Sequence, residues 1–155
     1  MHAIPLLALL PILGLTALSD LRELRIPNTL VLAAVTVFAI TAVFLPMAEI
    51  WLRLVAAGLC FLTLFVIYCF GILGGGDVKM LAAISLFVPS PLWSIAPYVF
   101  SVALLVGVAI TVALQSVQNS GNAEWASLRH SGKFPMGISI AMTGVALLIL
   151  SLTFT

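Results

Sequence analysis

Of the five acidic side chains in the 155 residues, two stand where chemistry is possible. Asp77 closes the run Gly74-Gly75-Gly76-Asp77 and is followed by Val78-Lys79-Met80, between two long apolar segments. Asp20 stands at the end of another apolar segment. A carboxylate at the mouth of a membrane helix is costly, about 2.5–3.5 kcal/mol at mid-bilayer on insertion scales, so its presence points to function. Two facing carboxylates cannot both ionise comfortably and therefore share a proton. The ionised member takes a proton from a water that attacks a peptide carbonyl; the protonated member donates to the carbonyl oxygen and later to the departing amine. Such a pair needs no metal, cofactor or covalent intermediate, and it titrates as a unit. A position at a helix N-terminus biases Asp77 toward its charged form, which favours it as the base.

Each acid also has a structural reading. Asp20-Leu21-Arg22-Glu23 fits a capping box, with Asp20 capping a short juxtamembrane helix and Glu23 reaching back. Asp77 fits a cap on the helix that follows, after a glycine C-terminus on the helix before it. Capping does not exclude catalysis. Three successive glycines exceed what a helix end needs, since one is enough. They permit unusual backbone angles and close approach of another chain, as a protease site requires.

The elements that must position these acids read as membrane helices. Hydrophobic residues make up 63% of the chain, charged residues 7%, and the mean hydropathy is +1.31. Soluble domains carry about 25% charged residues. We expect an all-α polytopic membrane protein, a single integral-membrane domain over residues 1–155, with no separate soluble domain. Apolar segments near 3–19, 28–46, 52–73, 78–92, 94–116 and 136–154 predict about six spans, broken at Pro27, Pro46, the triple glycine, Pro89-Ser90-Pro91 and the polar loop 117–134. The first segment lacks a basic n-region and is read as a retained span rather than a signal peptide. Arg22, Arg25, Lys79, Arg129 and Lys133 fall on one side and Arg53 alone on the other, so the first side is assigned to the cytoplasm and both termini to the extracytoplasmic side. Asp20 ends the first span and Asp77 begins the fourth, so two intervening spans put both acids on the same membrane face. From Val78 to Pro89 there are only about 11 residues, or roughly 16 Å of helix, against a hydrocarbon core of about 30 Å. Asp77 is therefore expected at or just inside the cytoplasmic boundary, in a recess that water reaches.

Other polar residues carry less. Glu49 and Arg53, four apart, are expected to form an outer-surface pair worth a few tenths of a kcal/mol. Cys60 and Cys69 lie about 13 Å apart along one helix, too far to join, and read as packing residues. His2 and His130 fall on opposite sides of the membrane, so no Ser-His-Asp arrangement can be built. Basic clusters with interleaved aromatics are absent, which removes support for nucleic-acid binding.

Two motifs carry a family resemblance. Asp20-Leu21-Arg22-Glu23-Leu24-Arg25-Ile26-Pro27-Asn28 and Gly74-Gly75-Gly76-Asp77-Val78-Lys79-Met80 resemble the Asp…Ile-Pro-Asn and Gly-x-Gly-Asp-x-Lys motifs of the type IV prepilin peptidases, membrane aspartyl proteases. Phe134-Pro135-Met136-Gly137 is similar to the Pro-aromatic-Gly element that opens the family's last span, with Met in place of the aromatic. The resemblance implies Asp20 and Asp77 as the catalytic pair, with Gly74, Gly75, Gly76, Lys79, Pro27 and Asn28 as supporting motif positions. It implies removal of a short basic leader from a prepilin or pseudopilin at the cytoplasmic face of the inner membrane, for type IV pilus assembly or protein secretion. The paired Cys-x-x-Cys insert of the larger members is missing, so no methyltransferase or zinc-binding region is expected; the short form looks most like the peptidases of Tad/Flp pilus systems. Alternatives are an archaeal preflagellin peptidase, a presenilin-like intramembrane protease and, in a different class, a proton- or cation-coupled transporter using the same acids. A purely structural subunit leaves the triple glycine unexplained.

Overall fold

Proline sets the helix starts. Pro27 and Pro46 occupy the N-cap positions of two helices with extended ψ of 144°, where a missing N–H costs nothing. The computed structural model describes residues 4–117 and 135–153, and every regular element among them is helical. Six α-helices follow in chain order: α1 (Ile4–Glu23), α2 (Asn28–Thr41), α3 (Met47–Cys69), α4 (Gly75–Ser85), α5 (Ala96–Val117) and α6 (Met136–Thr153). Short 3₁₀ turns follow α2 at Ala42–Phe44 and α4 at Ser90–Leu92. The polar-loop expectation falls, from residue 118 to 134, outside the described residues, as do His2, His130 and the two basic residues of that loop.

Four helices are long and apolar enough to cross a membrane: α1, α3, the Ala96–Ala113 part of α5, and α6. These fit a membrane protein. The other two expected spans are shorter. α2 is apolar but stops at Thr41, and α4 has only 11 residues. The break after α4 comes at Ser85, four residues before Pro89, because Leu86, Phe87 and Val88 turn back onto Ala83, Ile84 and Ser85 through tight backbone bonds.

α4, though short, is packed into the bundle. Val78, Met80, Ala83 and Ile84 are buried on it, and α2 and α3 pack against it. Phe87, just past its end, meets Phe38 of α2 edge to face with ring centroids 5.5 Å apart. The most extensive helix pair is α1 with α6. Small residues allow that closeness: a side chain on Gly144 would run into the Leu13 side chain. Leucine, valine and phenylalanine side chains on the outer faces of α3 and α5 stay exposed, as lipid-facing surfaces do.

The outer-surface pair is a correction. Arg53 is fully buried and Glu49 is 8% exposed, and their 3.1 Å bond is one part of a larger network. Arg53 Nη1 donates to the carbonyls of Leu86 (3.4 Å) and Phe87 (3.0 Å), while Glu49 accepts from the Ser90 backbone N–H (3.0 Å) and hydroxyl (2.8 Å). A cation therefore terminates α4 from a neighbouring helix, satisfying carbonyls that have no partner inside α4. Cys60 and Cys69 are both free thiols.

Candidate active site

Asp20 sits in the last turn of α1 and is only 4% exposed. The capping-box expectation is corrected here: α1 runs on through Glu23, and Asp20 caps a different helix. Its Oδ2 accepts the backbone N–H of Gly137 at 2.5 Å, in the first turn of α6. That N–H has no acceptor within α6, so a carboxylate from α1 satisfies it and also meets the positive end of the helix dipole. Glycine is required at 137 by space: a Cβ there would stand 2.6 Å from the Asp20 Cβ and 3.0 Å from the Thr16 carbonyl oxygen.

Asp77 is the third residue of α4, whose N-cap is Gly74. Its carboxylate accepts the Gly74 backbone N–H, the reaching-back half of a capping box. The triple glycine serves space more than angle. Gly74 is extended at φ −76° and the next two residues are helical, whereas among the described residues the glycine with a positive φ is Gly71 (φ 74°), just past the end of α3. At Gly76 a Cβ would lie 2.9 Å from the Ile26 carbonyl oxygen. The absent side chain lets the α1–α2 link rest on the first turn of α4, which draws the end of α1 toward Asp77.

The two acids, 57 positions apart in sequence, line one cavity of about 360 Å³. Gly74, Gly75, Gly76, Asn28 and Lys79 line it too, so all but one of the sequence-derived site residues gather here. Pro27 is the exception; it holds the N-cap of α2 beside the cavity. Lys79 donates from Nζ to Asn28 Oδ1 at 3.1 Å and so ties α4 to α2 rather than pairing with either acid. Arg25 and Met136 also line the cavity, and neither was singled out for it. The Gly137 N–H was missed as well; its only signal was the motif at the start of the last span.

Asp77 lies outside the four membrane-length helices. Burial, and after it the Asp20 charge, push its carboxyl up to about 6, against the opposing bond from Gly74. These effects outweigh the helix dipole, so the base role does not fall to Asp77 by the dipole alone. A carboxylate pair that shares one proton can activate water and protonate an oxygen in the same cavity. Among the described residues no three His, Cys, Asp or Glu side chains gather as a metal site requires.

The sequence pattern of the type IV leader peptidase family matches residues 7–112, more than half of the chain and both acids included. No curated protein and no solved structure matches the chain. The chain belongs to the type IV leader peptidase family.

Proposed function

We propose that this member of the type IV leader peptidase family is an aspartic-type endopeptidase that removes the short basic leader of a prepilin or pseudopilin. The observation that carries the reading is the convergence of Asp20 and Asp77, from two helices far apart in sequence, on one polar cavity. In the proposed reaction the ionised acid takes a proton from water, and the water oxygen bonds to the scissile carbonyl carbon. The protonated acid gives its proton to the carbonyl oxygen, producing a neutral tetrahedral diol. Collapse of the diol breaks the C–N bond: the proton taken from water passes to the leaving nitrogen, and one diol hydroxyl gives its proton to the ionised acid as the new carboxyl group forms. The pair then holds one proton again and the cycle can restart.

The cytoplasmic placement follows from the charge distribution: Arg22 and Arg25 follow Asp20 closely and Lys79 follows Asp77, on the side where positive residues accumulate. The inner membrane and a Tad/Flp-type pilin are the corresponding location and substrate.

The test is cleavage of a co-expressed prepilin by Asp20→Asn and Asp77→Asn variants. Each should lose about 10²–10⁴-fold in rate while still inserting in the membrane. Wild-type cleavage rates in both variants overturn the reading, and ion uptake that depends on the same acids replaces it with a transporter.

A further inference from the structure

A second cavity, about 370 Å³, lies between α3 and α5 with α4 as its floor, and its character is opposite to that of the first. Leu81, Ile84 and Ser85 of α4 line it, followed by Val88. Its two hydroxyls are already occupied: Ser85 donates to Leu81 O at 2.9 Å, and Thr143 of α6 donates to Ser139 O at 2.7 Å. A visitor therefore meets an apolar wall. The flanks mix small and large apolar side chains, with Ala56 and Cys60 beside Leu59 on α3 and Ala96 beside Phe100 on α5. The small positions leave room for a further helix to approach, and the large ones offer it apolar contact.

The register of α4 links this groove to the acids. At about 100° per residue, Leu81 and Ile84 lie within roughly 40° of Asp77 around the helix. One face of a single short helix thus carries the acid at its start and the groove's floor beyond it. A chain whose bond is cut beside Asp77 meets polar walls on one side of that bond and an apolar trough on the other.

We propose that this groove seats the apolar helical segment adjoining the scissile bond of the substrate, running alongside α4 between α3 and α5. The inference rests on the peptidase reading and extends it by assigning the surface that holds the membrane-embedded part of the substrate. α3 runs antiparallel to α4, with Tyr68 against Gly75 and Arg53 reaching the carbonyls of Leu86 and Phe87, so Cys60 stands level with about Leu81. From Asp77 to Leu81 is about 6 Å of helix, so a substrate helix parallel to α4 brings a residue about four positions past the cut opposite Cys60.

Native Cys60 supplies the test. In the full chain carrying Cys69→Ser and Asp77→Asn, reconstituted in phospholipid vesicles, Cys60 is oxidised against a single-pass substrate with a basic leader, an apolar helix and one cysteine moved along that helix. The disulfide yield should peak about four residues after the cut and repeat with helical period. In the otherwise wild-type enzyme, Ala56→Phe should raise KM for the same substrate about tenfold, with most of the effect in KM. A flat cross-linking profile overturns the proposal, as does an equal yield at a cysteine placed at exposed Leu152. An unchanged KM on filling the groove also overturns it and leaves a lipid chain as the occupant, and Cys60–Cys60 dimers in place of substrate cross-links assign the groove to a second copy. Cross-linking needs no cleavage, so a substrate that wild-type enzyme never cuts defeats the peptidase reading while the groove is still read independently.

Discussion

α4 carries a charged cluster at each end, and the two are built on opposite rules. At its C-terminal end Arg53 and Glu49 have opposite sign and spend their polar atoms on each other, on two carbonyls and on Ser90. Within this cluster the arginine's Nη2 is the exception, buried without a partner. At the N-terminal end Asp20 and Asp77 have the same sign, and each leans on one backbone N–H, from Gly137 and Gly74 respectively. They face a cavity instead of each other's opposite charge. Charges that hold a fold are complementary and saturated. Charges that act keep free lone pairs and a neighbour that makes full ionisation costly.

The comparison predicts contrasting losses. Removing either acid should abolish cleavage with little loss of folded protein, measured by processing of a prepilin beside membrane yield. Removing one partner of the structural pair, as in Arg53→Met, should cost about 3–5 kcal/mol in stability because it strands a buried Glu49. The double variant Glu49→Gln with Arg53→Met should recover part of that, and thermal unfolding in detergent checks both. If Arg53→Met instead spares stability and removes activity, the division between the two ends is wrong.

Gly137→Ala joins the two properties. Its methyl group needs the room occupied by the Asp20 Cβ and the Thr16 carbonyl, so the start of α6 must shift away from the acid it is capped by. The expected outcome is a loss of about 1–3 kcal/mol together with at least tenfold slower cleavage.

pH separates the two ends more finely. Asp77 is raised from 3.8 to about 6 in the fold, so its contribution to stability is full below about pH 4 and is lost as pH rises through about 6. Asp77→Asn should therefore unfold a few degrees higher than wild type at pH 7, with the difference vanishing near pH 4. Asp20→Asn removes the repelling neighbour and should lower the Asp77 titration point, followed by carboxyl carbon NMR. The smallest expected effect is that of Lys79→Met, which removes one exposed hydrogen bond to Asn28 and should cost no more than about 1 kcal/mol.

Much of this was legible in the chain because its signals are local. Apolar runs bounded by Pro27, Pro46 and the triple glycine announced the six helices, although α3 begins at Met47 rather than 52 and α4 ends at Ser85 rather than 92. The even number of segments between the two acids allowed them to meet. The misreadings share a cause: they depend on partners far away in sequence. Glu49 and Arg53 look like any surface pair four residues apart until Ser90, 41 positions from Glu49, closes over them. Asp20 looks like the cap of its own segment, yet the N–H it satisfies lies 117 positions away. Gly76 looks like one of three flexible residues, and its role is to leave space for Ile26.

The claim beneath the rest is that the side chains at 20 and 77 meet in one water-filled space. With Cys60 and Cys69 replaced by serine, Asp20→Cys and Asp77→Cys in one chain should cross-link rapidly in intact membranes through a short bifunctional thiol reagent. Two thiols that each react with a small water-soluble reagent, yet never join, would contradict the account.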